Sequence, residues 1–225
     1  MLDIKHVPYP VFNLSLPRSA CPRCEHQISA WENIPVISYL WLRGRCADCK
    51  TSIPVQYPLV EITVALLSVV VAYRFGFGLP LLAGLLFTWL LFALAMIDAR
   101  TMLLPDMLVF PLLWLGLLVN IRDIFTPLPD AVIGVAAGYL SLWLVHHTFR
   151  LLRGKEGMGA GDFKLLAAIG AWGGWQILST TLLLAAVAGL LFGVIRIALK
   201  QQSPQAPMPF GPWLAAGGWI AFVCL

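Results

Sequence analysis

Apolar residues dominate the chain from about residue 58 onward, in runs long enough to cross a lipid bilayer. A spanning helix needs roughly 17–25 such residues, and short polar or proline-containing connections separate the runs. The pattern predicts an all-α polytopic membrane protein with about seven transmembrane helices. The predicted helices are Leu59–Phe75, Pro80–Ile97, Leu104–Ile121, Ala131–Phe149, Phe163–Trp175, Ile177–Leu199 and Phe210–Leu225.

The first 57 residues follow a different pattern. They contain 10 of the 26 charged residues and four of the five cysteines. We therefore expect a small polar domain at residues 1–57 and a transmembrane domain at residues 58–225. Pro8 and Pro10 interrupt the only apolar stretch near the start, so no signal peptide is recognisable and a cytosolic N-terminus is expected.

Composition narrows the classes of protein that fit. Hydrophobic residues make up 60% of the 225 positions and charged residues 12%, against about 25% charged in soluble domains. So few charges cannot cover a globular surface of this size, so most of that surface must face lipid. This excludes a soluble enzyme, a disordered chain and a secreted module held by disulfides. With residues 1–57 inside and the helices alternating, 13 of the 15 Lys and Arg residues lie on the cytoplasmic side. This positive-inside bias explains the net charge of +4 without nucleic acid.

Four cysteines form two C-x-x-C pairs, Cys21 with Cys24 and Cys46 with Cys49, separated by 21 residues. This spacing is typical of a structural zinc site with four thiolate ligands, as in zinc ribbons. A cytosolic location disfavours a disulfide pair, and a thioredoxin-like motif would need a βαβ context that the sequence lacks. We expect a Zn²⁺ ion that helps this small domain to fold.

Two aspartates stand at the ends of predicted membrane helices. Asp98 ends the second helix, and Asp162 opens the fifth in the glycine-rich stretch Gly157–Lys164. Ionisable groups at such positions are functional candidates because they are costly in a membrane. Two carboxyl groups brought together share a proton, so that one can act as a base toward water and the other as an acid toward a carbonyl. This is the arrangement of an aspartic protease, and the glycines would let an extended substrate approach closely.

Other interpretations of the acidic residues stay open at this level. Asp162 can be a helix N-cap, and Asp98 a charge at the level of the lipid headgroups. Asp106 is either a third site residue or part of a turn and N-cap. A proton-coupled transporter, or an assembly factor with a structural zinc domain, would also contain such groups. The role of Glu61, near the start of the first predicted helix, is open.

The motifs together resemble those of a known family. Gly159-Ala-Gly-Asp162 resembles the Gly-x-Gly-Asp motif of intramembrane aspartyl proteases. With the stretch from Ile97 to Asp106 and the double C-x-x-C, the chain resembles the type IV prepilin peptidases (prepilin leader peptidase/N-methyltransferases). The similarity runs from about Phe12 to the end. It also includes the motifs Leu16-Pro-Arg-Ser, Tyr57-Pro-Leu-Val-Glu61, Leu112-Leu-Trp-Leu-Gly-Leu and Phe210-Gly-Pro-Trp.

This resemblance implies an activity and a set of site residues. It implies cleavage of the basic leader of type IV prepilins or type II secretion pseudopilins at the cytoplasmic face of the bacterial inner membrane. It also implies methylation of the new N-terminus with S-adenosylmethionine. It assigns catalysis to Asp98 and Asp162, and a link to methylation to Gly44 and Arg45. The supporting residues of the catalytic pair are expected to be Asp106, Gly159, Gly161 and Lys164.

The N-terminus departs from the family pattern. Family members usually begin with an additional membrane helix that carries a Gly-Ser-Phe-Leu-Asn-like stretch, and Met1–Leu16 contains no such helix. We expect the aspartate pair to be intact and substrate binding and methylation to be more affected. A peptidase that has lost methyl transfer is therefore an alternative.

Overall fold

The computed structural model describes residues 19–154, 158–199 and 208–224. Within these ranges the regular elements are helices, and two isolated bridges join Ala20 to Gln27 and Arg45 to Ser52. This confirms the predicted all-α class. The helices are α1 (Ile37–Trp41), α2 (Gln56–Phe75), α3 (Leu79–Thr101), α4 (Asp106–Asn120), α5 (Leu128–Arg153), α6 (Ala160–Gly173), α7 (Leu178–Ala198) and α8 (Gly211–Cys224), with 3-10 turns at Trp31–Asn33 and Trp175–Ile177.

Among the described residues, four segments are long and apolar enough to cross a membrane: α2, α3, α5 and the segment Trp175–Ala198 that contains α7. The apolar helices α4 and α8 are shorter, with 15 and 14 residues, and α6 also has 14. The chain is thus a multi-pass membrane protein. The figure of about seven spans stays a prediction.

Some sequence-based expectations fall outside the described residues. These are the absence of a helix in Met1–Leu16, the motif that begins at Leu16, and Gly157 of the glycine-rich stretch. The chain divides into two compact units, residues 1–66 and 67–225. This division falls inside α2, whereas the sequence-based domain boundary lies at residue 57. Each unit is described by itself.

Helix α6 is the central element of the second unit. Ten of its 14 residues are buried, and it packs against α4, α5 and α8. Glycines bring it close to α5, because a Cβ on Gly138 would lie 2.8 Å from the Leu166 carbonyl oxygen. Gly134 and Gly170 are in backbone contact and leave no room for a side chain on either residue. Such close approach through small residues is typical of helix packing in membranes.

Asn120, a fully buried residue at the end of α4, connects α6 to its neighbours. Its side-chain NH₂ donates to the carbonyl oxygens of Ala171 and Trp172 at 2.9 and 3.0 Å. Its side-chain oxygen accepts the N–H groups of Phe125 and Thr126 at 3.1 and 3.3 Å. This network fixes the C-terminal end of α6 against α4 and the following loop.

Aromatic side chains form the core around the same end of α6. The Phe222 ring of α8 lies 4.5 Å from Phe87 and 4.9 Å from Phe125, measured between centroids. Trp172 of α6 contacts Phe87, and its indole N–H donates to the Leu112 carbonyl at 2.8 Å. At 1.5 Å per residue, this anchored end lies about 15 Å along α6 from Asp162. The packing therefore sets the position of α6 from the end opposite to the acidic residue.

Candidate active site

Asp98 lies in the last turns of α3, and 5% of the residue is exposed. Its Oδ2 atom is buried and has no hydrogen-bond partner among the described residues. The helix ends at Met102, which adopts a left-handed conformation with φ 54° and donates its N–H to the Asp98 carbonyl at 2.8 Å. The burial of Asp98 does not fit the alternative of a charge at the headgroup level.

Gly211, the first residue of α8, faces the Asp98 carboxyl group. A Cβ at this position would lie 2.6 Å from Oδ2 and 2.9 Å from Cγ of Asp98, which is too close for any side chain. From the sequence, this glycine is part of the motif Phe210-Gly-Pro-Trp, and no role for it was predicted. The available signal was that glycine stands at the start of an apolar helix, where other residues are better helix formers.

Asp162 lies in the first turn of α6, and 7% of the residue is exposed. The N-cap is Gly159, whose carbonyl accepts the Asp162 N–H at 3.2 Å, so Asp162 does not cap the helix. Gly159 is exposed. Within the described part of the chain, a Cβ on Gly159 would meet only the Asp162 Oδ2 atom, at 4.0 Å. This leaves open space beside the carboxyl group.

The two carboxyl groups lie within electrostatic range of each other, and the Asp98 charge acts repulsively on Asp162. Helix α8 packs against both α3 and α6, the helices that carry them. Because both groups are buried in protein, their repulsion is screened less than it would be in water. The structure thus brings together the pair that sequence analysis selected.

Asp106 is the first residue of α4, and Pro105 occupies the N-cap position. Both carboxylate oxygens of Asp106 accept hydrogen bonds from the Lys164 ammonium group, at 2.7 and 2.9 Å. Asp106 is therefore an ion-paired residue in the first turn of α4 rather than an N-cap. Next to it, a Cβ on Gly161 would lie 2.9 Å from the Cβ of Leu104. Both contacts hold the stretch before α4 against the start of α6.

The four cysteines lie together in the first unit. Their sulfur atoms are all within 4.8 Å of one another, with Cys21 to Cys49 at 3.8 Å and Cys24 to Cys46 at 3.9 Å. Zinc–sulfur bonds of about 2.3 Å in a tetrahedron place sulfur atoms about 3.8 Å apart. The cluster therefore fits one tetrahedral metal ion.

The two halves of the cysteine cluster have the same backbone geometry. In one half the Cys21 N–H donates to the His26 carbonyl, and in the other the Cys46 N–H donates to the Thr51 carbonyl. The residue after each second cysteine, Glu25 or Lys50, has a φ near 60°. Hydrogen bonds from the hydroxyl and backbone N–H of Thr51 lower the pKa of the Cys49 thiol to about 6, whereas burial and the neighbouring thiols raise the pKa of the Cys24 thiol to about 12.

Gly44 and Arg45 lie immediately before Cys46. Gly44 has a φ of 66°, and a Cβ there would lie 2.8 Å from the hydroxyl oxygen of Tyr39. Its carbonyl also accepts the Ile53 N–H at 2.7 Å. Arg45 is exposed and pairs through its backbone with Ser52. These contacts give Gly44 a structural role in the turn, and its link to methylation stays a prediction.

Comparisons with known proteins match both parts of the chain. Residues 85–194 match the type IV leader peptidase family, and residues 2–75 match the bacterial peptidase A24 N-terminal domain. The first match includes Asp98 and Asp162, and the second includes the four cysteines. No solved structure matches the chain.

Curated relatives match over nearly the whole chain. The prepilin leader peptidase/N-methyltransferase of Pseudomonas putida is 58% identical over 210 residues, which cover 93% of this chain and 73% of the relative. The protein of that name from Pseudomonas aeruginosa is 56% identical, with coverages of 94% and 73%. The Aeromonas hydrophila protein is 55% identical, with coverages of 98% and 76%. The chain belongs to the type IV leader peptidase family.

Proposed function

We propose that this protein cleaves the leader of type IV prepilins or type II secretion pseudopilins, with Asp98 and Asp162 as the catalytic pair. The observation that carries the proposal is the meeting of two buried carboxyl groups at the ends of α3 and α6, beside the open space at Gly159. The names of the relatives, prepilin leader peptidase/N-methyltransferase, support the substrate class.

The pair acts as an acid and a base. Two interacting carboxyl groups hold one proton more readily than they hold two charges. The ionised group accepts a proton from a water molecule, which attacks the scissile carbonyl carbon, while the protonated group donates to the carbonyl oxygen. The resulting tetrahedral intermediate collapses when the carboxyl group that took the water proton gives it to the amine nitrogen, which leaves, and the other carboxylate takes back the proton of the former carbonyl oxygen. The unpartnered Oδ2 atom of Asp98 supports this role, since a buried atom without a partner costs about 1–3 kcal/mol and is expected where water or substrate binds.

The substrate reaches this site from the cytoplasm. The bias of Lys and Arg toward one side supports this orientation, with residues 1–57 in the cytosol and about seven spans in residues 58–225. The exposed Gly159 leaves room for an extended peptide backbone next to Asp162. Anionic headgroups at this face attract the basic leader, and the half-exposed Asp106 carboxylate, paired with Lys164, lies at the border of the site.

The first unit holds a structural Zn²⁺ ion, bound by Cys21, Cys24, Cys46 and Cys49. Their sulfur geometry fits zinc and leaves no ligand position for a substrate. The second activity, methylation of the new N-terminus with S-adenosylmethionine, is supported by the names of the relatives. Gly44 and Arg45 are the residues that we connect with it.

The decisive experiment replaces the two aspartates. Asp98→Asn and Asp162→Asn keep the side-chain size and remove the acid–base function. We expect each variant to lower prepilin cleavage in membranes by about 10²–10⁴-fold, the range for loss of general acid–base catalysis. Mass spectrometry of the pilin N-terminus measures both cleavage and methylation in one assay.

Asp123→Asn is the matched control, because Asp123 lies in the loop after α4 and its side chain accepts the Leu128 N–H, away from the pair. It should retain parental cleavage. Full cleavage by either Asp98→Asn or Asp162→Asn would contradict the mechanism. Pilin that is cleaved and unmethylated in the parent protein would contradict the second activity and leave the first intact.

A further inference from the structure

Helix α1 of the first unit presents an apolar face to its surroundings. Ile37, Leu40 and Trp41 follow the i, i+3, i+4 spacing of one helix face, and all three are exposed, Trp41 at 85%. Trp31, in the 3-10 turn that packs against α1, is 81% exposed. Four large apolar side chains exposed in so small a region mark a binding surface. We call Trp31, Ile37, Leu40 and Trp41 the α1 surface.

A hydrogen bond to Glu61 connects the start of α1 to the first turns of α2. Val36, the residue before α1, has a φ of 62°, which is rare and strained for a β-branched residue. Its N–H group donates to the Glu61 Oε2 atom at 2.7 Å. A carboxylate near the start of an apolar helix is costly, and here it meets a backbone donor of the preceding segment. The hydrogen bond answers the open question of what Glu61 does in the first unit.

The hydrogen bond between Val36 and Glu61 sets the depth of α1 in the membrane. Helix α2 is a candidate span of 20 residues, and 20 residues rise about 30 Å, the thickness of the hydrocarbon core. Its first residue therefore lies where the hydrocarbon core meets the lipid headgroups. Glu61 is the sixth residue of α2, about 7.5 Å along the helix, so a segment bonded to it lies near the boundary between headgroups and acyl chains.

The chemistry of the neighbouring residues matches this location. Tryptophan prefers the membrane–water interface, where its ring contacts lipid and its N–H contacts water. The exposed Arg43 and Arg45 follow α1 directly and can pair with lipid phosphates. The exposed Tyr57 and Leu59 extend the apolar surface along the first turn of α2.

We propose that the α1 surface is inserted at the boundary between the headgroups and the acyl chains of the phospholipid bilayer and that Glu61 is the positioning residue that keeps it there. The occupant of this surface is lipid, rather than a second copy of the chain or a pilin-like substrate. The cysteine cluster is thereby held at the membrane surface. This inference rests on the contacts of α1 and on the length of α2, and it is independent of the peptidase activity.

Photocrosslinking in proteoliposomes tests the occupant. The full chain carries the photoreactive residue p-benzoylphenylalanine at position 40 or 41, in vesicles of phosphatidylethanolamine and phosphatidylglycerol. Asp48, an exposed residue of the second cysteine pair, is the control position. After irradiation, mass spectrometry should find phospholipid adducts at positions 40 and 41 several-fold more often than at 48. Crosslinked dimers, adducts with added prepilin in place of lipid, or equal lipid labelling at position 48 would overturn the proposal.

Substitutions at Glu61 test whether its hydrogen bond with Val36 positions α1. Glu61→Ala removes the acceptor for the Val36 N–H and should lower lipid labelling at position 41 several-fold. Glu61→Gln retains a side-chain oxygen and should preserve the labelling. Thr63→Ala is the matched control on the same helix, because the Thr63 hydroxyl donates to the Leu59 carbonyl within α2. A metal content equal to that of the parent shows that the unit is folded, and unchanged labelling in folded Glu61→Ala would overturn the role of Glu61.

Discussion

The cysteine cluster and the aspartate pair are both polar sites in an apolar protein, but they are assembled by different means. The two cysteines of each pair are separated by only two residues, and a single tight turn directs both sulfur atoms to one point. Asp98 and Asp162 lie 64 residues apart and meet only because α3, α6 and α8 pack together. The first site depends on local turns and its ligands, and the second on packing far from the carboxyl groups.

This difference predicts where each site is vulnerable. Changing a ligand should destroy the cysteine site, whereas changes at its surface should have little effect. The aspartate pair should be sensitive to residues that never touch a substrate, such as the partners that hold α6 and α8. Four substitutions test this contrast.

The largest effect is expected from Cys46→Ser, which removes a buried ligand of the cluster. Structural zinc contributes on the order of 10 kcal/mol to the folding of small domains. The variant should lose stoichiometric zinc, and residues 19–55 should become sensitive to protease while α3 to α8 stay protected. Metal analysis and limited proteolysis measure both results. Cys224→Ser, at the exposed end of α8, should retain the metal, and zinc retained in Cys46→Ser would refute the four-ligand site.

Asn120→Ala should have the next largest effect. It leaves the carbonyls of Ala171 and Trp172 and two loop N–H groups without their partner. Since each orphaned buried group costs about 1–3 kcal/mol, we expect the free energy of unfolding to fall by about 3 kcal/mol or more. Thermal unfolding in detergent measures the loss. The exposed Asn33→Ala should shift stability by no more than about 0.5 kcal/mol, and an equal shift in both variants would contradict the anchoring role.

Gly211→Ala tests the packing around Asp98 directly. The added methyl group would lie 2.6 Å from the Asp98 Oδ2 atom, so the carboxyl group must move. A displacement of about 1 Å at a reacting group costs about 100-fold in rate, and we expect kcat/KM for prepilin cleavage to fall by that factor. Gly189→Ala is the control, because its methyl group would meet Trp213 at an ordinary 3.4 Å. Parental cleavage by Gly211→Ala would show that Asp98 tolerates displacement.

Lys164→Met should have the smallest effect. The Lys164–Asp106 ion pair is partly exposed, and such pairs contribute up to about 1 kcal/mol. We expect cleavage to fall only several-fold, and the difference from the parent to shrink at high salt because the charges are screened. Lys50→Met, at an exposed position of the cysteine unit, controls for loss of a positive charge. A loss as large as that of Asp162→Asn would place Lys164 among the catalytic groups.

The predicted and observed helix boundaries show how accurately the local hydrophobic pattern locates a helix. The predicted helix Pro80–Ile97, with Asp98 at its end, is observed as Leu79–Thr101, so that the helix continues for three residues beyond Asp98. The predicted helix Phe163–Trp175 begins earlier, at Ala160, and Asp162 lies in its first turn. Hydrophobicity locates the apolar centre of each helix and misses its ends, because the final turns carry polar residues.

Burial within the bundle was not predictable from composition. Helix α6 is almost entirely buried in protein, whereas α2, α3 and α5 expose apolar side chains such as Tyr73, Leu82 and Leu144. Both environments select the same apolar residues, because lipid chains are as apolar as a protein core. A polar residue within an apolar run, such as Asn120, is a signal that the position faces protein, because its side chain needs hydrogen-bond partners that lipid cannot offer.

Sequence alone determined the membrane-protein class, the approximate position of each helix and the four-cysteine site, since these depend on composition and on spacings of a few residues. It also selected Asp98 and Asp162 as candidates, because charge is costly in apolar segments. The tertiary structure decided that α6 lies at the centre, that Gly211 faces Asp98 and that Glu61 binds Val36. These contacts join residues far apart in sequence, and they depend on which apolar faces meet each other and which meet lipid.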